Sequence, residues 1–476
     1  MRRYWDLPRS VWALLAVVLL ALGMAPSCGF YSRLAIGAAV GALVCALLAS
    51  LRSKERADYG LFLSFLVSAA LLLSGAGAFQ CHLLYAENPA WYGVIWVAAA
   101  MGSLLLLSFA PSVWQGSRTV PWLRTRLAAL FLTGAVLRAG VLFTSPAPVV
   151  DVFVWLRDAP DFLLQRHNPY AVDYESPYET ERAAHYGVAD PAEARPAAYP
   201  PLPILLCLPF RLAGGDIRWV NVIGDLLAAW CLFLIAQRGG SLLAGSMLAG
   251  IYLFLPRAPF LIEQAWYEPL LAALLGGGFY LADQGRSRLG CLLLALGVTA
   301  KQYGPMMLPA LCRGWRNQLP ALLLALAGVG AALFLPFFLW GPDDFLSILL
   351  FKHLARPTQF ESLTLLSAVH DLVGWQAPRW VILAPGLLLI GWIAWRTPRQ
   401  GTLAALGMGT SLLVFCLCHT QGYFNYFYLC QYLWLLGIAG TLRPEAPFAG
   451  AWARPGNSLH LAHFRSSRKL QGRRME

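Results

Sequence analysis

The sequence predicts an all-α fold, a polytopic bundle of about 13–14 transmembrane helices, each needing roughly 20 residues to cross a bilayer. Three observations predict it. Of the 476 residues, 58% are hydrophobic and only 13% are charged, about half the charge of a soluble domain. So little charge does not cover the surface of a water-facing protein of this size. The apolar residues also run in stretches of membrane-crossing length. The formal net charge of +12 is scattered in short clusters between those stretches, as expected when cytoplasmic loops collect Lys and Arg. That scatter does not suggest nucleic acid as a partner.

Arg2, Arg3 and Arg9 place the N-terminus inside. The first five spans are Val11–Ala25, Leu34–Leu51, Tyr59–Phe79, Trp91–Phe109 and Leu123–Phe143. Val11–Met24 is read as an uncleaved first span and not a signal peptide, because Ala25-Pro26-Ser27 is an unfavourable cleavage site. Five crossings leave residues 144–199 outside as a long extracytoplasmic loop. The spans Trp219–Ala236, Leu242–Leu255, Leu270–Ala282, Leu289–Ala300, Gly304–Leu311, Leu319–Leu339, Trp380–Trp395, Leu403–Cys418 and Phe424–Leu442 follow. This threading puts Arg238, Arg286, Arg288, Arg313, Arg316, Arg396 and Arg399 on the inner side. Leu202–Leu212 is apolar but short, and reads as a partial or re-entrant helix. Lys301 and Pro305 interrupt 289–311, which gives two short helices meeting near the outer face. Broken backbone at that depth must be buried in protein or line a wet cavity.

Three segments follow from this organisation: an N-terminal four-helix module (1–120), a membrane core (121–443) and a basic, disordered cytoplasmic tail (444–476). The ten cysteines have no metal-ligand spacing. Cys28 and Cys81 fall in outer loops, where a disulfide is possible without being the default. No divalent metal is expected.

Chemistry is concentrated where the long loop meets the membrane. Asp151 follows a span by a few residues. It suits either a general base, placed to accept a hydroxyl proton, or a helix cap. Further along lie Arg157, His167-Asn168-Pro169-Tyr170 and Tyr199-Pro200-Pro201-Leu202. Lys301, beside Gln302, sits in an apolar segment. Cations there cost at least about 2.5 kcal/mol, so it is read as a phosphate ligand or as a snorkelling lysine. His419, Gln421, Tyr423 and Tyr426 form a third cluster, either sugar-binding or an aromatic belt. Glu263-Gln264 reaches the same face. Arg138 and Asp225 lie within spans and must face protein.

The order Asp151, Asn168-Pro169-Tyr170, Tyr199-Pro200-Pro201-Leu202, Glu263-Gln264, Lys301 with Pro305, and Tyr423–Tyr426 resembles the GT-C superfamily of integral membrane glycosyltransferases. The closest likeness is to the polyprenyl-phosphate-mannose-dependent α-mannosyltransferases, over roughly 121–443. The resemblance implies an inverting transfer of a hexose, mannose-like, from a polyprenyl-phosphate sugar to a lipid, glycan or protein acceptor on the outer face of a bacterial inner membrane. Asp151 would be the catalytic base. Lys301, Gln302, His419, Gln421, Tyr423, Tyr426, Gln264, Arg157, Asn168, Tyr170 and Tyr199 would contact substrate. No cofactor is implied beyond the lipid-linked donor itself. The charged stretch 173–195, the extra N-terminal helices and the missing glycine turn before Asn168 depart from the pattern. The alternatives are a carrier or flippase of lipid-linked sugars, and a glycan polymerase or ligase working at 341–378, where Lys352, His353, Arg356 and His370 lie.

Overall fold

The computed structural model describes residues 7–51, 59–111, 120–174, 177, 199–239 and 242–442. The basic loop 52–56, most of the stretch 173–195 and the tail from 443 onward lie outside the described residues. Helices dominate the described residues. The nearest thing to a strand is an isolated bridge between Phe30 and Ser362.

The first helices are α1 (Arg9–Met24), α2 (Arg33–Leu51), α3 (Tyr59–Phe79), α4 (Pro89–Leu107) and α5 (Val120–Thr144). The α4 start shows how the sequence sets a boundary. Asn88 Oδ1 accepts from the Ala90 and Trp91 amides at 3.1 and 3.3 Å, and Pro89 occupies the position where no amide hydrogen is needed. Then come α6 (Asp151–Leu164), α7 (Pro201–Leu212), α8 (Trp219–Arg238), α9 (Leu242–Leu253), α10 (Ala258–Glu263), α11 (Glu268–Asp283) and α12 (Ser287–Thr299). The chain continues through α13 (Leu308–Gly314), α14 (Leu319–Trp340), α15 (Pro342–Leu346), α16 (Lys352–Ala355) and α17 (Leu365–Val373). It ends in α18 (Arg379–Arg396), α19 (Ala404–Cys418) and α20 (Phe424–Thr441).

Eight of the described helices are long and apolar enough to cross a bilayer, so this is a multi-pass integral membrane protein. Several other expected spans are helices of 12–16 residues, close to their expected bounds. α9 has 12 residues, about 18 Å of helix, less than the thickness of a bilayer core. Burial sorts the helices by position. In α14 and α18 only 17% and 22% of the apolar window is buried. Their exposed side chains, such as Leu324 and Leu388, are leucines that suit lipid contact. In α19 the figure is 89%, and nearly every residue of α20 is buried. These two helices form the centre of the bundle.

The N-terminal module packs directly on this centre: α1 lies against α20 and α2 against α19. Two buried polar residues fasten its loops. Glu263 accepts from the Leu84 and Tyr85 amides, each at 2.8 Å, and from Ser145 Oγ at 2.8 Å. Arg257, held in the left-handed region at φ 64°, donates to Ala25 O and His82 O. All ten cysteines are free thiols, Cys28 and Cys81 included.

The short apolar segment forms α7, which packs along α6: its first residue follows Tyr199 and Pro200, and near its other end Arg211 pairs with Asp161 of α6. The turn after it brings Arg218 to Leu142 O, at the end of α5 from which the chain enters α6. The 289–311 interruption is also present. α12 ends at Thr299, a 3-10 turn spans Gly304–Met307, and α13 resumes at Leu308. Gly304 makes the break compact, since a Cβ there would lie 1.7 Å from Val298 O.

Asp225 finds an arginine and not Asn221. It pairs with Arg138, both side chains fully buried. Tyr252 and Tyr428 donate to the same carboxylate, while Arg138 also donates to Gly134 O and Leu253 O. The network ties α5, α8, α9 and α20 together. Arg138→Met should leave a buried uncompensated carboxylate and destabilise the detergent-solubilised protein by about 3–5 kcal/mol. Arg138→Met combined with Asp225→Leu should recover most of that loss in a thermal-shift measurement.

Candidate active site

The loops at one end of the bundle converge on a polar, tyrosine-lined region. Its first contributor is α6. Val150 is extended, so Asp151 is the first helical residue, where the helix dipole favours a negative charge. Its Oδ1 accepts from the Val152 amide at 2.8 Å. Asp151 is thus a half-buried acid in the first turn of α6, one residue past the N-cap Val150, which makes no side-chain cap. One turn later on the same face stands the fully buried Trp155, whose ring meets that of Tyr199 at 5.7 Å.

The Asn-Pro-Tyr sequence shapes this wall. Asn168 Oδ1 accepts from the Tyr170 amide at 3.0 Å, the local turn that Asn favours. Tyr170 then donates its hydroxyl to Tyr199 O at 2.8 Å. Both residues are buried and hold Tyr199 in place. Arg157 is not part of this wall. It pairs with Asp158, with its side chain 44% exposed.

Behind Tyr199 lies the second contributor. Lys301, in the break between α12 and α13, is 3% exposed. Its ammonium pairs with Glu268 at the start of α11. Four tyrosine rings surround it, those of Tyr199, Tyr267, Tyr303 and Tyr426, with centroids 4.5–5.4 Å from Nζ. Glu268 Oε1 also accepts from Tyr303 Oη at 2.9 Å and from Asn425 Nδ2 at 2.6 Å. The sequence reading left Lys301 as a phosphate ligand or a snorkelling lysine, whereas the fold gives it an internal counterion and a cation–π cage.

The third contributor is the turn after α16. Arg356 Nη1 donates to Gln421 Oε1 at 3.1 Å, while the buried Gln421 Nε2 has no hydrogen-bond partner. Gln302 and His353 meet at 3.1 Å, so the 352–356 segment touches the α12–α13 break as well as the α19–α20 loop. His419 stacks on Phe415 at 4.8 Å. Tyr423 and Tyr426 lie 6.4 Å apart, and Phe30 of the N-terminal module packs edge-on against Tyr423 at 6.5 Å.

Asp151 and Arg356 act on the same two tyrosines. The charges of both are felt at Tyr199 and at Tyr423. Arg356 also acts on Tyr426 and His419, and Asp151 on Lys301. The contacts bring α6, through Trp155 and Tyr199, and the turn after α16, through Arg356 and Gln421, to the same end of the bundle. Gln264 stands apart and donates to Glu263 at 3.3 Å.

The sequence reading placed Glu268 in the segment 263–268 and Asn425 in the cluster 419–426 at the outer face, and Arg356 in the 341–378 loop of the polymerase or ligase alternative, but it singled out none of them as a site residue and did not foresee the Lys301–Glu268 pair. Glu268 carried a usable signal: an acid and a base that each interrupt apolar segments are expected to pair. Arg356 carried none, because its loop has no periodicity that fixes where it folds.

Burial pushes the His419 imidazole below its ordinary value, and Arg379 and Arg356 add to that by repulsion. The folded state therefore resists protonation at His419 more than the unfolded state does. Stability should fall as pH drops below about 6.5. His419→Asn should flatten that part of the melting-temperature profile; an unchanged profile would remove His419 as its source.

No curated protein and no solved structure matches this chain. A family model does match, over residues 197–420. That stretch contains Tyr199, Glu268, Lys301, Arg356 and His419 and stops short of Tyr423, with Asp151 lying before it. The matching model is that of Glycosyltransferase family 87, and the match supports reading this membrane helical bundle as a glycosyltransferase.

Proposed function

We propose that the protein moves a hexose, mannose-like, from a polyprenyl-phosphate carrier to a hydroxyl of a lipid, glycan or protein acceptor on the outer face of a bacterial inner membrane. Both termini are then cytoplasmic. The observation that supports this reading is that the half-buried Asp151 opens α6 beside the Trp155–Tyr199 wall, while Arg356 is bonded to Gln421 of the α19–α20 loop at the same tyrosine-lined end of the bundle. Transfer between oxygens needs those two charges. A base must take the acceptor proton, and a cation must meet the charge that develops on the leaving phosphate.

The steps follow from that placement. Asp151 accepts the proton of the acceptor hydroxyl as its oxygen attacks the anomeric carbon. The bond from that carbon to the phosphate oxygen breaks, and its electron pair leaves with the lipid phosphate. A single displacement inverts the anomeric configuration. Arg356 is the natural phosphate ligand because its planar fork donates several N–H groups to phosphate oxygens. Gln421 steadies it, with Nε2 left over as a further donor, and His353 and His419 border the same place. Tyr199, Tyr423 and Tyr426 offer aromatic faces and hydroxyls to the sugar. Lys301, closed off by Glu268, acts on the site by its field and not by contact.

Asp151→Asn, which preserves shape, should lower transfer at least about 100-fold without loss of expression or monodispersity. Arg356→Ala should raise the KM for the lipid donor roughly tenfold or more, the worth of a hydrogen bond to a charged group, and leave the acceptor KM little changed. Both are checked with purified protein in nanodiscs, polyprenyl-phosphate-mannose as donor and a nucleotide sugar as comparison. Turnover with the nucleotide sugar alone would refute the lipid-donor reading. Cysteine labelling of 144–199 from the cytoplasmic side would refute its orientation.

A further inference from the structure

Arg356 stands in a stretch without regular secondary structure, yet that stretch is bonded to three neighbours. Residues 356–364 connect α16 to α17. Just before them, Arg379 at the start of α18 donates to Leu354 O. The Gln359 and Leu363 amides donate to Thr420 O and Gly422 O of the α19–α20 loop, at 3.1 and 2.9 Å. Gly422 permits that approach, since a Cβ there would lie 2.6 Å from Leu363 O. Arg356 itself donates to Gln421 of the same loop. The third neighbour is the N-terminal module. Tyr31 N donates to Glu361 O at 2.7 Å, and Phe30 forms an antiparallel bridge with Ser362.

Side chains reinforce that third contact. Asp371 of α17 accepts from Tyr31 Oη at 2.9 Å and from Arg33 Nε at 2.8 Å. α17 is in turn tied to the 356–364 segment. Ser367 Oγ donates to Ser362 O at 2.7 Å, the Ser367 amide donates to Thr364 Oγ1 at 3.1 Å, and Phe360 stacks on His370 at 4.1 Å. The α1–α2 loop is itself seated on α20, because at Gly29 a Cβ would lie 2.6 Å from Phe424 Cβ. The module does not need the Asp371 contacts to stay attached. α1 packs on α20, and the buried Glu263 and Arg257 fasten its loops. The Arg33 side chain is 73% exposed, and an exposed ion pair adds little to overall stability. It can still hold one loop against another. The family model matches residues 197–420, so Tyr31 and Arg33 lie outside the matched stretch.

We propose that Tyr31 and Arg33 of the N-terminal module are positioning residues for the lipid-phosphate donor: by holding Asp371 and Glu361 they keep the 356–364 segment against the α19–α20 loop, and so keep Arg356 on Gln421. The proposal rests on Arg356 being the ligand of the donor phosphate. A binding loop ordered in advance has less freedom to lose when its ligand arrives, which raises affinity. The module then contributes to donor affinity without touching the donor. The signature is one of charge. Reversing Arg33 sets two acids side by side, and reversing Asp371 sets two cations side by side. Either change pushes the module and the segment apart, and reversing both restores the attraction.

The test is steady-state kinetics of the full-length protein in nanodiscs, with polyprenyl-phosphate-mannose as donor. Variants are first screened by size-exclusion chromatography. Arg33→Glu and Asp371→Arg should each raise the donor KM about threefold, the order expected when an exposed ion pair becomes a repulsion. The acceptor KM should stay where it is. The double variant Arg33→Glu/Asp371→Arg should return the donor KM to the wild-type value. Loss of folded enzyme lowers the apparent kcat and moves neither KM, so a merely structural role does not produce this pattern. An unchanged donor KM in both single variants overturns the proposal. So does a double variant no better than the single ones, or a rise of both KM values together. If a single variant fails to fold, Tyr31→Phe decides: a raised donor KM supports the proposal and an unchanged one overturns it. Arg356→Ala separates the two levels. An unchanged donor KM in that variant sinks the phosphate-ligand reading itself. A raised donor KM there, with wild-type values in the charge reversals, sinks only the role of the module. A wild type without turnover on this donor overturns both.

Discussion

A charged group at membrane depth has no water to fall back on, so it either meets a counterion or is not there. The Lys301–Glu268 pair shows how far that constraint reaches. Lys301 sits in a helix break that only buried protein tolerates, and the break is compact because Gly304 has no Cβ to strike Val298 O. Glu268 opens α11, Asn425 opens α20, and Tyr199 closes the long loop. Four separate parts of the chain meet at one ammonium. The tyrosine wall of the site is the other side of this same cluster. The arrangement that makes a buried cation tolerable is therefore also the one that positions the aromatic groups facing Asp151 and Arg356.

The second buried pair, Arg138–Asp225, obeys the same rule to a different end. It lies between α5 and α8 and also engages Tyr252 and Tyr428. Its carboxylate accepts hydrogen bonds at both oxygens. It touches none of the groups that line the site. Glu263 is likewise saturated, by two amides, a hydroxyl and an amide side chain. Against these, Glu268 is the exception, with one oxygen crowded by three donors and the other bonded to nothing. Buried polar groups without partners are uncommon in folded proteins, and this one lies beside the proposed chemistry.

The N-terminal helices have more to do with the site than their lack of polar motifs suggests. The loop between α1 and α2 pairs with the segment before α17, through Tyr31 N and Glu361 O at 2.7 Å. That segment in turn bonds to the α19–α20 loop, where Leu363 N meets Gly422 O at 2.9 Å. Phe30 reaches Tyr423 by this route. A module without polar motifs of its own can still fix the position of a loop at the candidate site.

The sequence by itself determined what depends on local patterning and on the bilayer. Apolar runs gave the helices almost to the residue, as at 59–79, because each backbone group in a membrane must be satisfied within its own helix. The Lys301–Pro305 interruption and the loop-borne location of Tyr199, His419 and Tyr423 were legible for the same reason. Only the tertiary structure decided which charges meet. Glu268 and Lys301 are 33 residues apart, Arg138 and Asp225 are 87 apart, and Arg356 reaches Gln421 across 65. Nothing in the spacing of a single sequence encodes such pairings. They are chosen when helices pack and each buried charge settles on the nearest partner that can satisfy it. That choice made Lys301, read from the sequence as a phosphate ligand or a snorkelling lysine, half of a closed pair, and brought Arg356, from a loop without periodicity, to Gln421 of the α19–α20 loop.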